Sequence, residues 1–114
     1  MPDHLPTVYV DFTERFPDVA EAQGEMARRI RERTPYDEAT NRLLKLALAI
    51  GAESEGAVRS NTRKALQHGA SPDDLRSIAL LAITTCGFPA AVAALGWMQE
   101  VFDKDGVAQR ASNP

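Results

Sequence analysis

The sequence predicts an all-α protein of about five helices joined by short connections. Apolar residues recur at three- and four-residue intervals through most of the chain, as they do in helices that bury one face. Prolines and glycines divide these segments, and none alternates between apolar and polar residues for long enough to indicate a strand. The chain has 114 residues, of which 44% are hydrophobic and 25% charged, as is typical of one small globular domain.

The N-terminal part is predicted to contain an irregular arm over residues 1–12 and then one helix. Pro2 and Pro6 interrupt any early helix. The helix is expected to begin near Thr13–Pro17, because one helical face from there on is formed by Phe16, Val19, Ala20, Gln23, Met26, Ala27 and Ile30. Thr34-Pro35 then ends this helix, since a residue that precedes proline disfavours the helical conformation.

The second and third helices are predicted over residues 38–52 and 54–68. Asp37 is the expected N-cap of the second helix. Apolar residues cover most of the circumference of this helix, so we expect it at the centre of the core. Gly69 follows the third helix at the position where a left-handed residue often ends a helix.

The fourth helix has the clearest start signal in the chain. Ser71 is the expected N-cap and Pro72 lies in the first turn, followed by two aspartates that suit the positive helix pole. The segment LRSIALLAITTC that follows is apolar on most sides and is expected to be buried. After the interruption at Gly87-Phe88, Pro89 is predicted to open a fifth helix that ends near Asp103–Gly106.

Composition and charge limit the possible partners. We expect one helical domain over residues 13–105 and a polar tail over residues 106–114. The net charge of -3 argues against nucleic acid as a partner. The N-terminus lacks the pattern of a signal peptide, and no apolar stretch reaches the roughly 18–20 residues of a membrane span. The sequence therefore predicts a cytoplasmic protein with no membrane partner.

Few residues suit a metal ion or a nucleotide. The histidines, His4 and His68, are far apart and have no acidic cluster beside them, which argues against a metal site. Gly51 and Gly56 lack the rest of any phosphate-binding motif. The single cysteine, Cys86, ends a helix that is expected to be buried, which favours an inert apolar role over a nucleophilic one. We therefore expect no metal and no cofactor.

The run from Leu43 to Phe102 resembles the carboxymuconolactone decarboxylase family, which includes the alkylhydroperoxidase AhpD. The resemblance is carried by the apolar helix LLKLALAIGA, the segment RKALQHGASPDDLRSIALLA and the turn CGFPAAVAAL. It implies an all-helical unit that assembles with itself, commonly as a homotrimer or homohexamer.

Four positions differ from the pattern of the AhpD-like members. AhpD-like proteins have a glutamate in the apolar helix, a Cys-x-x-Cys pair at the elbow after it and a histidine four residues later; this sequence has Arg42, Ser54, Ala57 and Asn61 there. Reduction of peroxide through a cysteine pair needs one thiolate to attack and a second thiol to form the disulfide. An asparagine amide does not titrate near neutral pH, so it cannot replace histidine as a general acid or base.

The third helix contains most of the candidate site residues. Asn61 either orients a ligand through its amide or is hydrogen-bonded locally within the helix, and both interpretations stay open. Arg59 and Arg63 can bind a carboxylate, but a ladder of ion pairs with Glu55 at four-residue spacing is the favoured interpretation. Ser60 lies between the two arginines and is a further candidate for orienting a ligand.

Three more candidates lie outside that helix or at its start. Arg42 and Ser54 are candidate ligand-binding residues because they occupy family positions. Arg42 would reverse the charge of a family-like pocket, or it would form a structural ion pair with Glu53 or Glu55. Cys86 is retained as a candidate catalytic thiol because no other thiol exists in the chain.

The sequence therefore supports three hypotheses. In the first, the protein is a cofactor-free lyase that acts on a small carboxylated or lactone-type molecule oriented by Asn61, Arg59 and Ser60. In the second, it is an AhpD-like peroxidase that uses Cys86 as a single reactive thiol. In the third, it is a ligand-binding or assembly module that keeps the family fold without the catalysis. The expected partners are further copies of the chain and a small molecule.

Overall fold

A computed structural model describes residues 7–105 and contains six α-helices over that range, with no strand among them. The all-α prediction is confirmed, with one helix more than the predicted count of about five. The helices are α1 (Thr7–Arg15), α2 (Pro17–Arg33), α3 (Glu38–Gly51), α4 (Glu55–Gln67), α5 (Pro72–Cys86) and α6 (Phe88–Asp105).

The additional helix is α1, so the prediction of an irregular arm is wrong for residues 7–12. Helix α1 spans Thr7–Arg15 of the described residues, so the segment Val8–Val10 is helical. The amide of Phe16 donates to the carbonyl of Phe12 at 2.8 Å, and α2 restarts with Pro17 in its first turn. Residues 1–6, which include His4, and the predicted tail over residues 106–114 lie outside the described residues.

The chain divides after Pro35 into two compact units. The expected domain over residues 13–105 stays a prediction. The first unit contributes α1 and α2. Its ion pairs lie along α2, where Glu25 binds both Arg28 and Arg29, and these guanidinium groups hold the pKa of the Glu25 carboxyl below its ordinary value. Apolar side chains on α2 are half exposed, among them Val19, Met26 and Ile30.

The second unit is formed by α3–α6 and contains the hydrophobic core. Helix α3 packs against α4 and α5, while α6 packs against α4 and α5 from the other side. The core is built from Leu46, Ala49, Ile50, Val58, Ala65, Leu75, Ala79, Ala82, Ala91, Ala94, Met98 and Phe102. Alanines make up half of this set, which lets the helix axes approach each other closely.

The two predicted N-caps and the helix-ending glycine of the second unit are confirmed, whereas its last helix begins at Phe88, one residue before the predicted Pro89. Asp37 accepts a hydrogen bond from the amide of Thr40 at 2.8 Å. Ser71 and Asp74 form a complete capping box at the start of α5, with both hydrogen bonds 3.0 Å long. Gly69 follows the C-cap of α4 with φ of +98°, in the left-handed region that glycine adopts without steric cost.

The prediction that α3 and α5 are buried on most sides is wrong. Leu46 of α3 is fully buried, but Leu48 is 72% exposed. On α5, Leu75 is fully buried, while Leu80 and Leu81 are 58% and 69% exposed. Each of these helices thus carries exposed apolar side chains beside its buried ones.

Candidate functional site

Two of the family-like positions, Ser54 and Ala57, lie at or just after the elbow, residues 52–54, which joins α3 to α4. Glu53 reverses the chain direction with φ of +52°, a left-handed conformation that is uncommon for a residue with a side chain. Ser54 is the N-cap of α4, yet its side chain makes no capping hydrogen bond, and the residue is exposed. The elbow thus presents one hydroxyl to solvent and no thiol.

Asn61 lies in the second turn of α4 and is half-buried. Its amide nitrogen donates to the carbonyl oxygen of Ala57 at 2.9 Å, one turn earlier in the same helix. Of the two interpretations left open by the sequence, this contact favours local hydrogen bonding over ligand orientation. Asn61 lines neither of the two cavities described below.

Arg59 forms ion pairs with two carboxylates, Glu55 of α4 and Glu100 of α6. The hydrogen bonds with Glu55 and then Glu100 raise the pKa of the Arg59 guanidinium above its ordinary value. The predicted pair of Glu55 and Arg59 is confirmed, but the ladder does not continue: within the range from 7 to 105, Arg63 has no carboxylate within ion-pair distance. Ser60 is half-buried beside these residues.

The larger cavity is an open groove between α3 and α5, with a volume of about 390 Å³. We call it the α3–α5 groove. Its lining is almost wholly apolar and consists of Thr40, Leu43, Leu44, Ala47, Ile78, Leu81, Ala82, Thr85 and Cys86. The groove therefore lies on the open faces of the two helices that the sequence predicted to be buried.

Cys86 ends α5 at one end of this groove and is exposed, so the prediction of a buried cysteine is wrong. Gly87 follows as the C-cap of α5 with φ of +103°. Gly51, at the end of α3, is the near neighbour of the sulfur: a Cβ at that position would be 3.8 Å from Sγ.

A smaller cavity, of about 140 Å³, lies where α3, α4 and the start of α5 meet. We call it the Arg42 pocket. Its lining residues are Ala39, Arg42, Leu43, Ala65, His68, Gly69, Ala70 and Asp74. Arg42 Nε donates to Glu38 Oε2 at 2.6 Å, so the ion pair predicted with Glu53 or Glu55 is instead made one turn earlier within α3.

The predicted site residues are thus not brought together. Arg42 lines the smaller cavity and Cys86 lines the larger one, while Ser54, Arg59 and Asn61 line neither. The sequence interpretation missed Thr40 and Thr85 in the groove, as well as Glu38 and His68 beside Arg42. The pair of Glu38 and Arg42 had a local signal, because an acid four residues before a base is a common helix pair. The contact between Glu38 and His68 had no local sequence signal, because the two residues lie on different helices.

The described part of the chain contains neither a metal-binding cluster nor a membrane span. Between residues 7 and 105, no group of three or more histidine, cysteine, aspartate or glutamate side chains is placed to hold a metal ion. Over the same range, no helix has the length and apolar character that crossing a membrane requires.

Comparison with known families agrees with the helical architecture. The family model described as "Carboxymuconolactone decarboxylase family" matches residues 17–100, which include α2–α5 and most of α6. No curated protein matches the chain. Since the matched segment covers well over half of the sequence and joins both units, the chain belongs to the carboxymuconolactone decarboxylase family.

Proposed function

We propose that this protein is a ligand-binding member of its family, which holds a small lactone-type molecule in the α3–α5 groove without decarboxylating it. The observation that carries the proposal is the groove itself, an apolar cavity of about 390 Å³ with a hydroxyl at Thr85. Binding sites for small molecules commonly have volumes of roughly 300–1,000 Å³, apolar walls and a few polar groups that set orientation.

The lining suits a molecule with an apolar body and one carbonyl group. Leu43, Ile78 and Leu81 supply the apolar walls. Within the described residues the hydroxyl of Thr85 has no hydrogen-bond partner, so it is available to donate to a ligand carbonyl. A lactone combines an apolar ring with such a carbonyl, which the groove can accept without burying an unpaired charge.

The chemistry of the candidate residues favours the ligand-binding hypothesis over the two catalytic hypotheses. A lyase that acts there needs a group that transfers a proton, and the amide of Asn61 is bound to the carbonyl of Ala57 and does not titrate near neutral pH. A peroxidase of the AhpD type needs two thiols, and the chain has Cys86 alone. Arg59 is already paired with two carboxylates, so it is poorly placed to bind a third.

The proposal is tested by titrating γ-nonalactone into the purified protein in a calorimeter. We expect saturable binding that Ala47→Phe weakens by at least about tenfold, because the new ring fills the groove. Ala47→Ser is the matched control at the same position and should bind as wild type does. Thr85→Val should weaken binding by about fivefold through loss of one hydrogen bond, whereas Thr84→Val should leave it unchanged, since the Thr84 hydroxyl contacts the carbonyl of Leu81.

A second measurement follows the thiol at the end of the groove. Bound lactone should slow the reaction of Cys86 with a fluorescent maleimide in the wild type and leave the rate unchanged in Ala47→Phe. Equal binding by wild type and Ala47→Phe would overturn the proposal. So would a labelling rate that depends on protein concentration rather than on lactone, because the groove would then be covered by another copy of the chain.

Decarboxylation is measured separately. Incubation of the protein with a carboxymuconolactone should release no carbon dioxide above the rate in buffer. Release that Asn61→Ala or Arg59→Gln abolishes would restore the lyase hypothesis.

We also propose that the chain forms a homo-oligomer, a homotrimer or homohexamer as the family resemblance implies. The support is the exposed apolar surface outside the groove, where Leu80, Phe88 and Val92 are 58%, 64% and 46% exposed. Light scattering on the wild type should give three or six times the chain mass. Phe88→Glu should reduce that mass, whereas Glu100→Gln should not, and a monomeric wild type would overturn this proposal.

A further inference from the structure

In the Arg42 pocket, the guanidinium group of Arg42 is hydrogen-bonded to the protein through Nε only. Arg42 donates through Nε to Glu38, and its side chain is 15% exposed. Among the described residues, its two terminal amino groups have no hydrogen-bond acceptor. A guanidinium group held at Nε keeps its terminal N–H groups in a fixed plane, which matches the two oxygens of a carboxylate.

An imidazole forms the opposite side of the same pocket. His68 Nδ1 is 2.8 Å from the carbonyl oxygen of Lys64 and therefore donates to it. The other ring nitrogen, Nε2, is 3.4 Å from Glu38 Oε2. Both nitrogens thus lie near an acceptor oxygen. Glu38 consequently holds Arg42 and His68 in place on two different helices.

The surroundings of the pocket carry more positive than negative charge. Partial burial lowers the pKa of the Lys64 ammonium, and the positive charges of Arg42, Lys45 and Arg63 lower it further. Within residues 7–105, none of Lys45, Arg63 and Lys64 has a carboxylate within ion-pair distance. These four cations gather on α3 and α4 in a chain whose net charge is -3, so they create a local field that attracts anions.

We propose that the Arg42 pocket binds a small, singly charged carboxylate, which the terminal amino groups of Arg42 hold and His68 flanks. This site is separate from the α3–α5 groove, although Leu43 lines both cavities. The proposal goes beyond lactone binding and does not depend on it.

Volume and charge set the ligand class. A cavity of about 140 Å³ has room for about four to five non-hydrogen atoms at roughly 30 Å³ for each water-sized group. Acetate and glycolate are of that size. Asp74 lines the pocket and Glu38 lies on Arg42, so two negative charges oppose an anion with more than one charge. The pocket therefore favours a monocarboxylate over a phosphate dianion.

The test is an NMR titration with sodium acetate at constant ionic strength, with sodium chloride as the balancing salt. We expect the amide signals of Gly69 and Ala70 to shift and to saturate at millimolar acetate. Inorganic phosphate should bind at least about tenfold more weakly. Arg42→Gln should weaken acetate binding by at least about tenfold, because a charged hydrogen-bond donor is lost.

A steric variant keeps the test decisive if Arg42→Gln unfolds the protein. Ala39→Leu fills the pocket without changing any charge and should abolish the saturable shifts, while Ala39→Ser should preserve them. Arg63→Gln alters the local charge outside the pocket lining and should weaken binding by less than Arg42→Gln does. Shifts that do not saturate, that chloride reproduces, or that persist in Ala39→Leu would overturn the proposal. Tighter binding of phosphate than of acetate would overturn the ligand class.

Discussion

The carboxylate of Glu38 holds the imidazole of His68 beside α3, with Oε2 and Nε2 3.4 Å apart. The same oxygen accepts a hydrogen bond from Arg42 Nε at 2.6 Å. One acidic side chain in the first turn of α3 thus joins that helix to the C-cap of α4. Because the contact links two helices of the core, it fixes the walls of the Arg42 pocket as well as its charge.

Glu38→Gln should lower the free energy of unfolding by about 1 kcal/mol, since Arg42 loses its ion-pair partner and His68 loses a charged hydrogen-bond acceptor. The measurement is urea unfolding followed by circular dichroism. Glu55→Gln is the matched control, because it removes an acid from a more exposed pair at four-residue spacing on α4. That change should cost only about 0.3–0.5 kcal/mol. A loss for Glu38→Gln no larger than that for Glu55→Gln would contradict the prediction.

Acid should destabilise the start of α3 through Asp37. The backbone amide of Thr40, and then its side chain, hold the pKa of the Asp37 carboxyl below its ordinary value of 3.8. Since the pKa is lower in the folded state, this carboxylate stabilises the fold above its unfolded pKa. That contribution is lost as the pH falls through the folded value.

The variant Asp37→Asn removes this titration and keeps a good N-cap. We expect its thermal unfolding midpoint to match the wild type at pH 7 and to fall less steeply below pH 4. Asp11→Asn serves as the control, because the Asp11 carboxylate makes no hydrogen bond within the described residues. Equal pH profiles for Asp37→Asn and the wild type would contradict the prediction.

The two faces of α3 should respond differently to the same substitution. Leu46→Ala leaves a cavity among buried neighbours and should lower the free energy of unfolding by about 2–5 kcal/mol. Leu48→Ala, two residues later on a side chain that is 72% exposed, should change it by less than about 0.5 kcal/mol in a monomer. Chemical unfolding at low protein concentration compares the two. A large loss for Leu48→Ala that grows with protein concentration would instead indicate that another copy covers this face.

Cys86 should react with thiol reagents in the native protein because it is exposed at the end of the groove. We expect one maleimide to be incorporated per chain without denaturant. The variant Cys86→Ser should consume peroxide as slowly as the wild type does, since a single thiol has no partner with which to complete a catalytic disulfide. A clear loss of peroxide consumption in Cys86→Ser would support the single-thiol hypothesis.

Much of the second unit could be predicted from neighbouring residues. Asp37 and Ser71 were identified as caps and Gly69 as a helix end, because each signal depends on residues within one turn of it. The resemblance carried by residues 43–102 also pointed to the family whose model matches the chain. The prediction fails at α1, because the prolines at positions 2 and 6 suggested an arm up to residue 12, whereas residues 7–15 are helical.

The sequence by itself determined the helical class, most helix ends and the family, and its single cysteine excludes a Cys-x-x-Cys pair. Only the tertiary structure decided which faces of α3 and α5 are covered, because an apolar pattern shows that a side chain can be buried and not whether a neighbour covers it. It also placed Cys86 and Thr85 in one groove, and Glu38 and His68 in one pocket. Such contacts join residues on different helices, and their distance along the chain carries no local signal.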